Sequence, residues 1–149
     1  MPREQSEEAQ WWYHTVYSAV QKIPYGKCTS YGHLALLVGF PRRARQVGVC
    51  LKHLPAYDPN DPEKFFFHDE NVPWQRVVNS KGGISPRGDD GAAANRQAEK
   101  LREEGVEVND ARGIEEMTVD FGRFGWFPQR LPGEESEDDD EQNDGSVES

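Results

Sequence analysis

Two breaks in an otherwise helical pattern divide the first third of the chain, and they constrain its fold more than any other feature. From Glu7 to Ile23 the apolar residues recur at steps of three and four, which predicts a helix with one buried face. The segment Pro24-Tyr25-Gly26 stops this helix. The first helix is therefore short, and the chain after it has to begin a new element.

Two further short helices are predicted on either side of a tight turn. The second begins at a cap formed by Thr29 or Ser30 and runs through Val38. The third runs from about residue 42 to about residue 54, and Gly39-Phe40-Pro41 forms the turn between them. Two short helices joined by a tight glycine-containing turn are typical of a helix-turn-helix.

The second half of the chain combines extended segments with one helix. Residues 55–72 form a loop whose Phe65-Phe66-Phe67 end packs onto the domain. A helix from about Gly91 to Glu104, capped by Asp89 or Asp90, ends at Gly105. Short strands are predicted at residues 76–78, 106–108 and 117–119, a second strand or extended loop at 84–88 in the position of a wing, and an aromatic terminus at 121–127. The expected fold class is α+β, mainly α, with a single winged helix-turn-helix domain over residues 1–132.

Charge is unevenly distributed along the chain. The 149 residues carry a net charge of −10, whereas a DNA-binding protein normally displays a basic surface. Residues 133–149 contain nine acidic residues and no lysine or arginine, which leaves 18 acidic and 17 basic residues in 1–132. Because residues 133–149 have almost nothing apolar to bury, we expect a disordered acidic tail. Such a tail keeps the protein soluble, competes with DNA for the protein's own basic surface, or contacts a partner.

The two cysteines, Cys28 and Cys50, indicate a reduced intracellular protein rather than a disulfide-bonded one. Cys50 and His53 have a spacing that metal ligands use, but no second pair follows at the distance of a zinc module. We therefore expect no metal and no cofactor. No apolar run reaches the length of a membrane span, and the N-terminus lacks the pattern of a signal peptide, so no membrane association is expected.

Four segments have an order and a spacing that point to one family of DNA repair enzymes. Together they resemble the C-terminal DNA-binding domain of the O6-alkylguanine-DNA alkyltransferases, over roughly residues 8–107. The segments are Ile23-Pro24-Tyr25-Gly26, Thr29-Ser30-Tyr31-Gly32-His33-Leu34-Ala35, Pro41-Arg42-Arg43-Ala44-Arg45-Gln46-Val47-Gly48 and Val72-Pro73-Trp74-Gln75-Arg76-Val77. The resemblance implies a winged helix-turn-helix that binds double-stranded DNA.

The last of these segments differs from the repair enzymes at the reactive position. Those enzymes carry Pro-Cys-His-Arg-Val, in which the cysteine accepts an alkyl group and the histidine activates it. Here Trp74 and Gln75 occupy the two positions. Because alkyl transfer needs a nucleophile that can be deprotonated by a nearby base, an indole cannot replace the cysteine. The chain is therefore similar to the alkyltransferase-like proteins, and we expect it not to be an enzyme.

The resemblance to the alkyltransferase-like proteins implies both a function and partners. It implies that the chain binds O6-alkylguanine in duplex DNA by nucleotide flipping, without alkyl transfer, and passes the lesion to nucleotide excision repair proteins. The implied protein is a monomer, located in the nucleus if the source is eukaryotic and otherwise in the cytoplasm.

The same resemblance assigns residues to the DNA interface. Arg45 matches the arginine that fills the gap left by a flipped nucleotide, for which a long, planar, cationic side chain is suited. Tyr31 matches a tyrosine that presses on the phosphate of the flipped nucleotide and contacts the base. Ala44 and Gly48 are small residues one turn apart, so the third helix can enter the narrow minor groove. Local positive charge for phosphate contacts comes from Arg42, Arg43 and Lys52.

The flipped base is expected in a pocket formed by the fourth segment and the loop after the wing, beside Tyr31. Trp74, with Pro73 before it, forms a wall that gives apolar contact to an alkyl group. Arg87 stacks on the guanine or donates to its oxygens. The main-chain carbonyl of Val77 accepts a hydrogen bond from the exocyclic amine of the guanine. Arg76 continues the motif and is expected to brace the structure rather than contact DNA.

Two other classes of protein remain open at this point. One is an alkyltransferase with a different nucleophile, for which Cys28 and Cys50 are the candidates, although neither matches the pocket position. The other is a winged helix-turn-helix regulator that reads sequence in the major groove, which requires several polar side chains on the third helix. That helix instead shows small and apolar residues around one arginine, which argues against a regulator.

Overall fold

The N-terminal helix begins where the sequence provides a cap. In the computed structural model, which describes residues 6–86, 91–110 and 116–133, helix α1 spans Glu7–Val20. The Ser6 hydroxyl accepts a hydrogen bond from the Ala9 amide at 3.1 Å, which satisfies one of the amides left open at the helix start. Val16 and Val20 are buried on the face that the periodicity predicts. The helix ends at Val20, slightly before the predicted end at Ile23.

Helices α2 (Tyr31–Leu37) and α3 (Ala44–Lys52) confirm the predicted helix-turn-helix. Ser30 caps α2, because its hydroxyl accepts a hydrogen bond from the His33 amide at 3.0 Å. In the turn between the helices, Gly39 has a φ of +94°, a backbone conformation that favours glycine. Helix α3 is shorter than predicted by about two residues at each end.

A common apolar core joins the first three helices. Leu34 of α2 and Val47 of α3 are fully buried against Val16 and Val20 of α1. Full burial of such side chains contributes roughly 1.5–3 kcal/mol each. One face of α3 is therefore fixed to the body of the domain, and the opposite face is left to solvent.

Two short strands connect the start of the helix-turn-helix to the 72–77 segment. Strand β1 (Thr29–Ser30) pairs in parallel with β2 (Val77–Val78), with Thr29 opposite Val77. The predicted strand at 76–78 is reduced to β2, because Trp74–Arg76 forms a 3-10 turn. Strand β1 has no counterpart in the sequence prediction, since two residues between a turn and a helix cap show no periodicity.

The remaining strands lie near their predicted positions. Strand β3 (Val108–Asn109) pairs antiparallel with β4 (Thr118–Val119). The segment expected as a wing is a loop over residues 84–86, joined to the β4 region by the Ile84 amide, which donates to the Met117 carbonyl at 2.8 Å. The rest of that segment, from residue 87, lies outside the described residues.

Helix α4 spans Ala92–Glu103 and ends, as predicted, before Gly105, which has a φ of +87°. Its N-cap position is held by Gly91, which offers no side-chain hydrogen bond, whereas the predicted caps at 89 and 90 lie outside the described residues. Leu101 of α4 is fully buried in a second apolar cluster with Val78 and Ile84. The two clusters together confirm a mainly helical single domain.

The described chain ends in the aromatic segment that the sequence predicts. Helix α5 (Phe121–Phe124) places the Phe121 ring edge-on against Phe127, with 4.9 Å between ring centroids. None of the helices in the described part of the chain is long and apolar enough to cross a membrane. Within the same residues, no group of three or more His, Cys, Asp or Glu side chains is placed to hold a metal ion. The acidic residues from 134 onward lie outside the described part.

Candidate nucleic-acid interface

Helix α3 has one buried and one exposed face, and the predicted DNA-binding residue Arg45 lies on the exposed one. Val47, Cys50 and Leu51 face the core, which turns Arg45 and Val49 outward. Arg45 makes no hydrogen bond, ion pair or ring contact with any described residue. A guanidinium in this state keeps all of its donors available for a ligand.

The arginines that precede α3 differ in how they are held. The Arg43 guanidinium lies 4.6 Å from the ring centroid of Phe40 and 5.5 Å from that of Trp12, within the range of a cation–π contact. Arg42 is exposed and free of such a contact among the described residues. Both lie at the N-terminal end of the helix, where backbone amides also favour an anion. This end of α3 therefore suits phosphate, as the sequence predicts.

Tyr31 and Gly48 lie in contact with each other. A Cβ added to Gly48 would lie 3.8 Å from Cε1 of the Tyr31 ring, which is an ordinary van der Waals distance. Tyr31 is the first residue of α2 and is half-buried against the core of the first three helices. The structure thus brings Tyr31 beside the face of α3 that carries Arg45 and Gly48, and Ala44 at the start of α3 is half-buried next to them.

Trp74 is largely buried, with 7% of its surface exposed. It packs in the same core as Tyr31 and lines a cleft of about 320 Å³ together with Leu51 and Leu54 of the α3 end and Arg96 of α4. The rest of the cleft lining is charged and consists of Lys52, Asp69, Glu70 and Lys100. Pro73, which is half-buried, lines a neighbouring cleft of about 340 Å³ on the side of Gln75 and Arg76.

A buried carboxylate holds the segment that follows Trp74. The Glu104 carboxylate accepts from Gln75 Nε2 at 2.7 Å, from Arg76 Nε at 3.0 Å and from the Gly26 amide at 2.8 Å. Arg76 also donates through Nη1 to the Ile23 carbonyl at 2.7 Å. The Arg76 and Glu104 side chains are only 14% and 6% exposed. The expectation that Arg76 braces the structure agrees with these contacts.

The carboxylate behind Gln75 is also informative about lost chemistry. In a nucleophile–base pair, a third group commonly orients the base. Glu104 stands in this relation to Gln75, for which the sequence predicts the position of the activating histidine. An amide cannot take up a proton as an imidazole does, so Gln75 cannot act as a base.

A second buried polar residue, Gln97, donates hydrogen bonds to the backbone of the 72–77 segment. Gln97 of α4 is 1% exposed, and its Nε2 donates to the carbonyls of Gln75 at 3.1 Å and Val77 at 2.9 Å. The Val77 carbonyl, predicted to accept from the guanine amine, therefore accepts a hydrogen bond from Gln97 within the protein.

Sequence reasoning missed Gln97 and Glu104. Gln97 stands among the buried residues of α4, between Ala94 and Leu101, and a polar residue in a buried stripe is a signal of an internal hydrogen bond. Glu104 directly follows α4, where its charge gives no hint of burial. Arg87, the remaining predicted pocket residue, lies outside the described residues.

Neither cysteine has the surroundings of a nucleophile. Cys28 is fully buried, and Cys50 is 1% exposed on the inner face of α3. Desolvation by burial raises the pKa of each thiol to about 12. Since the reactive species is the thiolate, both groups remain protonated at neutral pH. Burial also raises the pKa of the Tyr17 hydroxyl, which donates to the Cys50 carbonyl at 2.8 Å.

The helix-turn-helix, the 72–77 segment and the carboxylate behind it define a domain of the O6-alkylguanine-DNA alkyltransferase type. A model of the family described as 6-O-methylguanine DNA methyltransferase, DNA binding domain, matches residues 11–106. The chain belongs to this family and, within it, to the alkyltransferase-like proteins.

Relatives of known name are similar over most of the chain. Alkyltransferase-like protein 1 of Schizosaccharomyces pombe is 43% identical over 116 residues, which cover 78% of this chain and 94% of that protein. The DNA base-flipping protein of Escherichia coli strain K12 is 40% identical over 111 residues, which cover 74% of this chain and 70% of that protein.

A solved structure supports the same relationship. S. pombe Atl1 in complex with damaged DNA containing O6-carboxymethylguanine superimposes with a TM-score of 0.64 at 40% sequence identity. The match covers 84% of this chain and all of the Atl1 chain. The fold described above is therefore also found in a relative that binds damaged DNA.

Proposed function

We propose that this protein binds O6-alkylguanine in duplex DNA without removing the alkyl group, and that the bound protein marks the lesion for nucleotide excision repair. Helix α3 enters the minor groove, and Arg45 takes the place of the flipped guanine in the base stack. Flipping costs a few kcal/mol, and less for a weakened base pair, which favours damaged over normal guanine.

The observation that carries the proposal is the pair Trp74 and Gln75 in a domain whose Arg45 is exposed and makes no hydrogen bond or ion pair with the described residues. Trp74 lacks a group that can accept an alkyl cation, and Gln75 lacks a proton-accepting nitrogen. Arg45 makes no hydrogen bond or ion pair with a described residue and lies on the same face as Gly48, beside the Tyr31 ring. Residues suited to nucleotide flipping, in a domain without a nucleophile and base at positions 74 and 75, favour recognition rather than repair.

The names of the relatives support the same interpretation. One is called a DNA base-flipping protein, and another was crystallised with DNA containing O6-carboxymethylguanine. The retained Glu104 contact to Gln75 explains how the pocket segment keeps its shape although the reactive pair is gone. A protein that cannot complete repair needs a partner that can, which motivates the link to excision repair.

Two measurements on one sample test the proposal. Fluorescence anisotropy compares binding to a duplex containing O6-methylguanine with binding to the same duplex containing guanine, and we expect about tenfold or greater preference for the lesion. Intact mass after incubation with the damaged duplex should be unchanged. Equal affinities would refute lesion recognition, and a gain of one methyl group would refute the inert pocket.

A further inference from the structure

Aromatic side chains are exposed along α1, on a surface that reaches Arg45 of α3 at one end. Phe66 is 79% exposed and lies next to the middle of α1, while Val49 of α3 is 45% exposed at the other end of the same surface. Two adjoining depressions connect them and share Tyr13. We call the combined feature the α1 groove.

The α1 groove is apolar over most of its length. Its first part, of about 360 Å³, is lined by Trp12, Tyr13, Arg45 and Val49. Its second part, of about 450 Å³, is lined by Tyr13, His53, Lys64, Phe66 and Phe67. Rings from α1 and from the 65–67 segment therefore line one apolar surface that apolar side chains of a ligand can enter.

The walls of the groove are held in place by ring contacts. The Phe66 ring stacks on His14 with 6.4 Å between centroids, and Phe67 packs against Tyr17 at 5.3 Å. Tyr13 in turn stacks on Tyr17 at 6.0 Å. Because these side chains are already ordered against α1, a ligand would lose little affinity to ordering them.

The charges at the groove have one sign. The lining includes Arg45 and Lys64, and no aspartate or glutamate of the described residues lines either part. The Lys64 ammonium lies 3.9 Å from the Asp58 carboxylate. Both side chains are partly exposed, so this ion pair is weak and Lys64 can also interact with a carboxylate of a ligand. The groove therefore complements a ligand with apolar anchors and carboxylates.

Other occupants fit this chemistry less well. The acidic residues from Glu134 onward match the charge, but Val147 is their only large apolar side chain, so they cannot fill an aromatic groove. A second copy of the chain would place Arg45 and Lys64 against like charges. Nucleic acid can reach Arg45 at one end, but along the rest of the groove it would meet rings where its phosphates need donors.

We propose that the α1 groove binds an acidic amphipathic helix of a protein partner, with its apolar face between α1 and Phe66. Helices commonly bind such grooves through apolar residues spaced three and four apart. The inference rests on the proposed function and deepens it, because it names the surface that a repair protein would contact.

The experiment uses the full chain and a synthetic fluorescein-labelled peptide. The peptide carries leucine and phenylalanine on one helical face and glutamate elsewhere, and a second peptide has the same composition with the apolar residues scattered. We expect saturable binding of the first peptide only. Phe66→Ser should lower that affinity about tenfold, and Lys64→Glu should lower it further through charge. Leu36→Ser, which removes an exposed apolar side chain from α2, is the matched control and should have no effect.

Each other outcome overturns the inference. Equal binding of both peptides, or no change with Phe66→Ser in a variant that melts like the original, would exclude a specific helix site. Peptide binding that appears only after removal of residues 134–149 would assign the groove to the chain's own tail. A dimer in sedimentation that dissociates with Phe66→Ser would assign it to a second copy. Phe66→Ser should bind the O6-methylguanine duplex normally, so failure of peptide binding and failure of lesion recognition are separate results.

Discussion

Arg45 and Arg76 carry the same charge in opposite surroundings. Arg76 donates to Glu104 and to the Ile23 carbonyl and is 14% exposed, whereas Arg45 makes no hydrogen bond or ion pair with the described residues. One guanidinium is part of the structure, and the other is available to a ligand. The comparison shows that the contacts of an arginine, rather than its position in a motif, distinguish a side chain that stabilises the fold from one that is available to a ligand.

The largest expected effect concerns the supporting arginine. Glu104→Gln replaces an acceptor of three donors by an amide and leaves Arg76 buried without its counter-charge. We expect the free energy of unfolding in urea to fall by about 3 kcal/mol. Glu107→Gln is the control, because Glu107 pairs with Arg123 at the surface and its loss should cost no more than about 0.5 kcal/mol. Equal effects of the two variants would remove the distinction between the arginines.

The second prediction concerns the available arginine. Arg45→Ala should weaken binding to an O6-methylguanine duplex about ten- to a hundredfold, since the gap in the base stack is no longer filled. The free energy of unfolding should change by no more than about 0.5 kcal/mol, because the side chain has no partner to lose. Arg123→Ala removes the same charge from α5 and should leave lesion binding unchanged. A destabilised Arg45→Ala protein would contradict the comparison.

A smaller effect is expected for the arginine two residues before α3. Arg42→Ala should weaken binding to damaged and undamaged duplexes by the same factor of a few, since phosphate contacts carry no information about the base. The slope of log affinity against log salt should decrease by about one unit. Anisotropy titrations at several salt concentrations measure both quantities. A selective loss for the damaged duplex would place Arg42 at the lesion instead.

The smallest effect is expected for the thiols, which are buried like Arg76. With the pKa of Cys28 and Cys50 raised to about 12, neither should react with iodoacetamide at neutral pH until the chain is unfolded. Unfolding lowers each pKa to its ordinary value near 9, so the thiols favour the folded state below that pH. This contribution is lost as pH rises from about 9 to about 12. Rapid labelling of the native protein would show that a thiol is accessible.

The helices could be predicted from the sequence because their signals are local. The periodicity of α1, the Ser30 cap and the glycine turn at 39 each act within a few residues, and the structure confirms the helix-turn-helix they indicate. The ends of the helices were predicted less accurately, because α3 spans Ala44–Lys52 rather than residues 42–54. The parallel pairing of β1 with β2 depends on residues far apart in sequence, and no local pattern predicts it.

The candidate site was predictable only in part, for the same reason. The residues of α3 that are predicted to face DNA and the Trp74–Gln75 pair could be named from their resemblance to a family. Glu104 could not, because its contacts join Gly26 in the loop after α1, the 72–77 segment and the end of α4. The role of Arg87 stays a prediction.

The placement of Arg45 at one end of the α1 groove links two ligands through a single side chain. When the Arg45 guanidinium is inserted between bases, it cannot pair with carboxylates of a helix in the groove. When it pairs with those carboxylates, it cannot enter the base stack. Thermodynamic reciprocity then requires each ligand to weaken the other by the same factor. Binding of the acidic helix would lower the affinity for the damaged DNA, so the partner that is recruited would also promote release of the DNA.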